Sequence, residues 1–267
     1  MVQTAGMRIE LASEPGGPER PNEDWASASV PAEGRGGALV VLDGVTPPTG
    51  SDGCVHSVPW FTARLGGALA ELSASRRDMT PASILSESIR RTADAHRSTC
   101  DLSHPRTPQA TVVLVRWDEE RVEHLVLSDS ALLLEAPDGR VTPVLDDRID
   151  RLPAGSLASE ETVDTRLRNK EGGFFTAAAD PGVASRAVTG VTPRRDVRAL
   201  AALTDGASRW TERFQEGDWG AVLKMLRTAG PQGLIDRVRE LERADRDSGR
   251  PRRGKPHDDA TAVLVEL

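Results

Sequence analysis

Apolar residues recur along the chain at two periods. Short blocks rich in Val, Leu and Ala, at 37–42 (GALVVL), 110–117 (ATVVLVRW), 122–128 (VEHLVLS), 131–135 (ALLLE), 198–203 (RALAAL) and 260–267 (ATAVLVEL), predict strands. Asp138-Gly139, inside LLLEAPDGRVTPV, reads as a hairpin turn between two of them. Helical spacing takes over elsewhere. Phe61, Leu65, Ala68, Leu69 and Leu72 share one face and predict a helix over 57–75. A second helix is expected over 81–98, with Leu85, Ile89, Ala93 and His96 in its stripe, Thr80 as cap and Pro81 in the first turn. Trp219, Val222, Leu223 and Leu226 form a third stripe, ended by Gly230. Leu234, Ile235, Val238 and Leu241 form the last.

The order is strands, two helices, several adjacent strands, an irregular region, then strand, helices and strand. Hairpins outnumber βαβ alternations, which predicts an α+β layered fold with mainly antiparallel sheets. Residues 146–197 have weak periodicity and include GGFF and DPG. Short helices within a loop-rich insertion are expected there. The 267 residues are many for one small domain and few for two, and no linker divides them. A single domain over 1–267 is the expectation.

Composition narrows the function classes. Acidic residues exceed basic ones by 41 to 34, for a formal charge of -7, which argues against nucleic acid as a partner. With five Trp, four Phe and no Tyr, a stacking platform for single strands is also disfavoured. No apolar stretch reaches the ~20 residues of a membrane helix, and the N-terminus lacks a signal-peptide pattern. The expectation is a cytoplasmic protein with no membrane partner. Arginine supplies 31 of the 34 basic residues, as in GC-rich genomes, which suits a bacterial source.

Three apolar strands run into an aspartate: VVLDG at Asp43, LVLSDS at Asp129 and AALTDG at Asp205. Asp258 and Asp259 immediately precede a fourth, ATAVLVEL. Strand ends are rigid and can deliver carboxylates to one rim of a sheet. Converging carboxylates repel unless protonated or bound to cations. Hard oxygen donors with few histidines suit Mg²⁺ or Mn²⁺. Asp-Gly is also a turn signal, as at Asp138-Gly139, and that reading stays open for each aspartate taken singly.

The segments PNEDW (21–25), VVLDGV (40–45), LSDS (127–130), ALTDGA (202–207) and DDATAVLV (258–265) occur in that order over nearly the whole chain. Together they resemble the metal-dependent protein phosphatases of type 2C, the PPM family. The resemblance implies a four-layer αββα sandwich, two antiparallel sheets face to face with helices outside each. It implies two divalent cations, Mn²⁺ or Mg²⁺, with a weaker third. Asp43 would bridge two metals, joined on one by the carbonyl of Gly44. Asp205 and Asp258 would hold the other metal, Glu23 would act through water, and Asp129 with Asp205 would take the third. Thr204, Asp24 and Asp259 would support these ligands. The implied reaction is hydrolysis of phosphoserine or phosphothreonine in proteins by a water activated between two metals, with no phosphoenzyme. The phosphorylated protein is then the partner, and the role is to oppose kinases in signalling. The insertion matches where the family carries a flap.

This chain departs from the pattern in places. The family's phosphate-binding arginine precedes the Asn-equivalent position by three residues, where Glu19 stands here. Arg20 lies two before Asn22 and is the candidate catalytic and substrate-binding arginine, against a solvated loop residue. The glycine pair after the first DG is absent from DGVTPPTGSDG. GDSR becomes SDSA, with Ser128 and Ala131, and Val45 stands where animal members have a histidine. The changes at Glu19, Val45 and Ala131 motivate one alternative, a weakly active module that binds phosphorylated partners; a phosphatase of small molecules is another. Neither Cys54-x-His56 nor Cys100-x₃-His104 matches a zinc-finger spacing, so inert cysteines are expected. His96 on its apolar stripe reads as a core histidine, and His56 and His257 take no role. The basic loop RPRRGK (250–255), running into Asp258, is a candidate for attracting acidic substrate, against a plain surface loop.

Overall fold

The computed structural model describes residues 7–31, 35–48, 50, 52–247 and 256–267. Among the described residues, ten strands form two sheets of five. The first sheet has the order β1-β10-β9-β6-β7, with β1 (Arg8–Glu14), β10 (Ala260–Glu266), β9 (Ala199–Leu203), β6 (Ala131–Glu135) and β7 (Val141–Val144). The second has the order β2-β3-β4-β5-β8, with β2 (Trp25–Ser29), β3 (Gly37–Leu42), β4 (Val112–Trp117), β5 (Arg121–Leu127) and β8 (Val188–Pro193). Every strand pair is antiparallel.

The central strands read as unbroken apolar runs because both faces are covered. In β3, Leu39 and Val41 point between the sheets, where they meet Leu132, Leu200, Val263 and Val265 of the first sheet. Val40 and Leu42 point the other way, onto Phe61, Leu65 and Leu85. Those residues belong to α1 (Val58–Ser75) and α2 (Pro81–His96), which cover the outer face of the second sheet. The outer face of the first sheet, through Leu133, Ala201 and Leu264, packs on Trp210, Leu223, Leu226 and Val238. These come from α4 (Asp205–Glu212) and α5 (Trp219–Asp247). The result is helix, sheet, sheet, helix, as the resemblance implied.

Local chemistry fixes the helix ends. Thr80 caps α2, its hydroxyl accepting from the Ser83 N–H at 3.2 Å, and Pro81 opens the first turn. Gly230 interrupts α5 with φ 76° and ψ 170°, a conformation that glycine alone adopts without strain, so the last two stripes meet at a kink.

Three strands escaped the hydrophobic pattern. Both β1 and β8 lie at sheet edges and are partly exposed, and β2 (WASAS) is made largely of small residues. The segment 146–197 does contain short helices and turns: Ser156–Ala158, α3 (Glu160–Thr162), Val163–Leu167 and Pro181–Arg186. Its end is a correction, because β8 pairs with β5 and belongs to the second sheet. The basic loop with Arg250, Arg252 and Arg253 lies outside the described residues. Among the described residues, no helix is long and apolar enough to cross a membrane.

Candidate active site

Strand register brings four chain segments to one rim. Leu203 of β9 lies opposite both Ala131 and Ala262, so the residues before β6, after β9 and before β10 are neighbours. On the second sheet, Val112 of β4 pairs with Leu127 of β5, and the Thr111 N–H donates to the Asp43 carbonyl at 2.9 Å. The ends of β3 and β5 therefore face the same way. Asp43, Asp129, Asp205 and Asp258 all line one cleft of about 310 Å³, together with Gly44, Val45 and Arg168.

The two Asp-Gly pairs are not hairpin turns. Asp205 opens α4, and its N–H donates to Oδ2 of Asp43 at 3.4 Å. A Cβ on Gly206 would run into the carbonyl oxygen of Asp259. A Cβ on Gly44 would lie 2.5 Å from the Glu23 carbonyl oxygen and from Val58. Each glycine is therefore needed for close approach beside its aspartate. Ser128 adopts φ 70°, held by its N–H donating to Asp146 Oδ2 at 2.9 Å, and its hydroxyl donates to Asp129 at 3.2 Å.

A carboxylate scaffold lies behind the cleft. Asp259 accepts from the N–H groups of Gly16 and Glu23, both at 2.7 Å, and so fastens the 16–23 loop to the start of β10. Glu23 accepts from the Thr46 hydroxyl. Buried Asp24 accepts from the hydroxyls of Thr204 and Thr261 at 2.9 and 2.7 Å, while its Oδ1 has no hydrogen-bond partner among the described residues.

Asp258 is held by cations from the other side. Arg209 of α4 donates to its Oδ2 at 3.1 Å, and Arg239 of α5 donates to its carbonyl at 2.7 Å. Both arginines also bond fully buried Glu242, at 2.5 and 2.9 Å, and His257 Nδ1 lies 2.7 Å from the same carboxylate. Burial alone would raise the Glu242 pKa, but the hydrogen bonds from His257, Arg239 and Arg209 leave it below the ordinary range.

Asp43, Asp129 and Asp205 of the cleft, and Asp24 behind it, resist ionisation. Burial, then the charges of Asp205, Asp24, Asp129 and Asp258, holds Asp43 well above the ordinary range. Burial, then Asp129 and Asp258, pushes Asp205 up to about 7, with Arg209 pulling the other way. Burial raises Asp129 as well, with Glu212 and Asp146 adding to it. Burial pushes Asp24 up to about 8 against its two hydroxyl donors. Added positive charge relieves all of these at once. The donors are hard carboxylate oxygens, and among the described residues neither His nor Cys lines the cleft, so the residues fit Mg²⁺ or Mn²⁺ rather than a softer ion. Beyond Asp129 and Asp205 a second acidic hollow opens, lined by Asp146, Asp150 and Glu212.

The arginines are divided between two hollows. Arg20 is exposed and lines a neighbouring hollow of about 360 Å³ with Glu23, His257 and Asp259. That hollow shares only Thr46 and Asp258 with the aspartate cleft. Arg168 lines the aspartate cleft itself, with its guanidinium 5.3 Å from the centre of the Phe174 ring. Burial lowers its pKa, while Asp164 and Asp129 act to raise it. Sequence reasoning missed Arg168 because it sits in RLRNK, inside the segment of weakest periodicity.

A family model described as Protein phosphatase 2C matches residues 18–242. The chain belongs to the protein phosphatase 2C family. A comparison with curated proteins finds no match. Among solved structures, the serine/threonine phosphatase Stp1 of Staphylococcus aureus is similar at 12% identity and TM-score 0.58, over 98% of this chain and 95% of that one. The Mycobacterium tuberculosis serine/threonine phosphatase PstP/Ppp is similar at 18% identity and TM-score 0.58, over 98% of both. The catalytic domain of PstP in complex with two manganese ions gives 19% identity and TM-score 0.56, over 97% of both. At these identities the likeness to the solved structures is one of fold.

Proposed function

We propose that this chain is a Mn²⁺- or Mg²⁺-dependent phosphatase of phosphoserine and phosphothreonine in proteins, acting in the cytoplasm as a single domain over 1–267. One observation carries the reading: Asp43, Asp129, Asp205 and Asp258, from four separate segments, line one cleft that Arg168 also faces. Family membership and the manganese-bound PstP relative support it.

Asp43 and Gly44 would hold one cation, Asp43, Asp205 and Asp258 the other, with Glu23 reaching the first through water. Asp129 and Asp205 would take a weaker third towards the second acidic hollow. Bound divalent cations would lower the pKa of a water for attack on phosphorus and offset charge on the phosphoryl oxygens. The protein's own contribution is positioning. Arg209 and Arg239 fix Asp258, Asp259 fixes the loop bearing Glu23, and the Asp205 N–H ties the two sheets at Asp43. Arg168, its face on Phe174, would offer a planar donor pair to the phosphoryl group. Arg20, in the neighbouring hollow, would meet the substrate on the side of Glu23 and His257. The part of the segment before β8, residues 146–187, which supplies Arg168, Val163 and Phe174 to the cleft, would act as the substrate-selecting flap.

The test is turnover of p-nitrophenyl phosphate with Mn²⁺ and with EDTA, followed by panels of phosphopeptides and of small phosphate esters. Metal-dependent turnover with preference for phosphopeptides supports the reading. Preference for small esters makes it a metabolite phosphatase, and phosphopeptide binding without turnover makes it a binding module.

A further inference from the structure

The two cysteines and one histidine, from segments far apart in sequence, meet outside the acidic cleft. Cys54 lies in the loop between β3 and α1, His96 is the last residue of α2, and Cys100 follows in the next turn. Their ligand atoms all lie within 4.8 Å of one another. Cys54 Sγ is 2.8 Å from Cys100 Sγ and 3.5 Å from His96 Nδ1. The pairing differs from both local spacings in the sequence, Cys54-x-His56 and Cys100-x₃-His104, which is why neither pointed to it.

We propose that Cys54, His96 and Cys100 form a binding site for one thiophilic cation, Zn²⁺ by chemistry. Four features support it. First, the donors are two thiols and an imidazole, the set that selects zinc over the hard ions suited to the aspartate cleft. Second, both sulfurs already receive backbone donors: the Val55 N–H points at Cys100 Sγ and the His56 N–H at Cys54 Sγ, each at 3.4 Å. Such bonds favour the thiolate, the form that binds metal, although burial and then the Cys100 contact push the Cys54 thiol up to about 11, a shift that a bound cation would offset. Third, His96 is 2% exposed and directs Nδ1 at Cys54, while its Nε2 has no hydrogen-bond partner among the described residues. Burial, with His56 nearby, lowers its pKa, so the neutral ligand form is present at pH 7. Fourth, a tetrahedral zinc ion sets sulfur and nitrogen ligands about 3.6 Å apart and two sulfurs about 3.8 Å apart. The Cys54–His96 separation already meets this, and a side-chain rotation of about 1 Å opens the sulfur pair. Cys54 and Cys100 are half-buried, leaving the fourth position to water. His56 is held aside, stacked on Trp60 at 3.9 Å with Nε2 3.4 Å from Thr99.

The ion would tie the loop that leaves Gly44 to the end of α2, where the Asp101 N–H already donates to Gly53 at 2.7 Å.

The experiment is Co²⁺ titration of the full chain, reduced and stripped of metal, followed by absorbance. The expected result is a thiolate-to-cobalt charge-transfer band in the near ultraviolet that saturates at one equivalent and disappears on adding Zn²⁺. Cys54→Ser and Cys100→Ser should each lose at least half of it. Asp205→Asn should keep it whole, which separates this ion from any in the aspartate cleft. In wild-type protein, Zn²⁺ should slow alkylation of both cysteines at least tenfold, with Mg²⁺ without effect. That measurement needs no variant to fold. A reduced protein with no thiolate band, a band unaffected by Cys54→Ser, alkylation indifferent to Zn²⁺, or a Cys54–Cys100 disulfide in protein trapped directly from cells would each overturn the proposal.

Discussion

The backbone N–H of Asp205 donates to the carboxylate of Asp43 across 3.4 Å. Asp43 ends a strand of one sheet, and Asp205 begins the helix that leaves a strand of the other. The contact closes the sandwich at the rim where the carboxylates gather, so the site depends on how the two sheets are set against each other.

Gly206 keeps α4 close enough for this contact. A Cβ there meets the carbonyl oxygen of Asp259, the residue that follows Asp258. Gly206→Ala should cost about 1–3 kcal/mol in stability, as overpacking does. A ligand displacement of that kind should cut turnover by about 10²-fold. Thermal melts and kcat/KM measured on the same sample check both.

Arg168 and Arg20 should separate in kinetics. Loss of a charged hydrogen-bond donor from the cleft costs about 1.5–3 kcal/mol. Arg168→Ala should therefore lower kcat/KM by roughly 10- to 150-fold. Arg20→Ala, in the neighbouring hollow, should lower it less and mainly for phosphopeptides rather than p-nitrophenyl phosphate. The reverse ranking on p-nitrophenyl phosphate would return the phosphate contact to Arg20.

Arg209 bonds both Glu242, which is fully buried, and Asp258. Arg209→Ala should destabilise the fold by about 3–5 kcal/mol, the cost of breaking a buried pair. Because Asp258 is released as well, the Mn²⁺ concentration giving half-maximal activity should rise. Arg209→Lys should recover part of the stability and less of the metal response, since a point charge cannot serve both carboxylates.

The crowded carboxylates give the metal-free protein an unusual pH response. Asp205 and Asp24 hold protons in the folded state up to about 7 and about 8, against ordinary values of 3.8. An unfolded chain releases these protons near pH 4, so their contribution to stability is complete below that pH. It falls as pH rises and is gone above about pH 8. From pH 7, where unfolded histidines of ordinary pKa 6.5 have mostly lost their protons, to pH 8, the Tm in EDTA should fall. Mn²⁺ should flatten that fall. A Tm in EDTA that climbs over this interval would contradict the crowding.

The fold was legible wherever burial is two-sided. Strands such as β3 and β10 carry apolar residues on both faces, and α1 and α2 carry continuous stripes. Edge strands were not legible, because no residue of β1 or β8 is fully buried and their few apolar positions alternate with polar ones or glycine without a continuous run. In the site, the aspartates were legible because each follows or precedes a strand. Their glycines were readable as turn signals only, since close packing against Asp259 and Glu23 involves residues distant in sequence. Arg168 and the Arg209–Glu242 bond had no periodic or local mark. Cys54, His96 and Cys100 were hidden for the same reason: 42 residues separate the first cysteine from the histidine it faces.

The central claim is that Asp43, Asp205 and Asp258 hold the divalent cations used to hydrolyse phosphoserine and phosphothreonine. The most direct measurement is Mn²⁺-dependent phosphate release from a phosphothreonine peptide by the wild-type chain and by Asp205→Asn, both checked for folding. The account predicts release by the wild type that EDTA abolishes, and a loss of at least about 10²-fold in the variant. Metal-dependent release at the wild-type rate by Asp205→Asn, or release by the wild type that EDTA leaves intact, would contradict it.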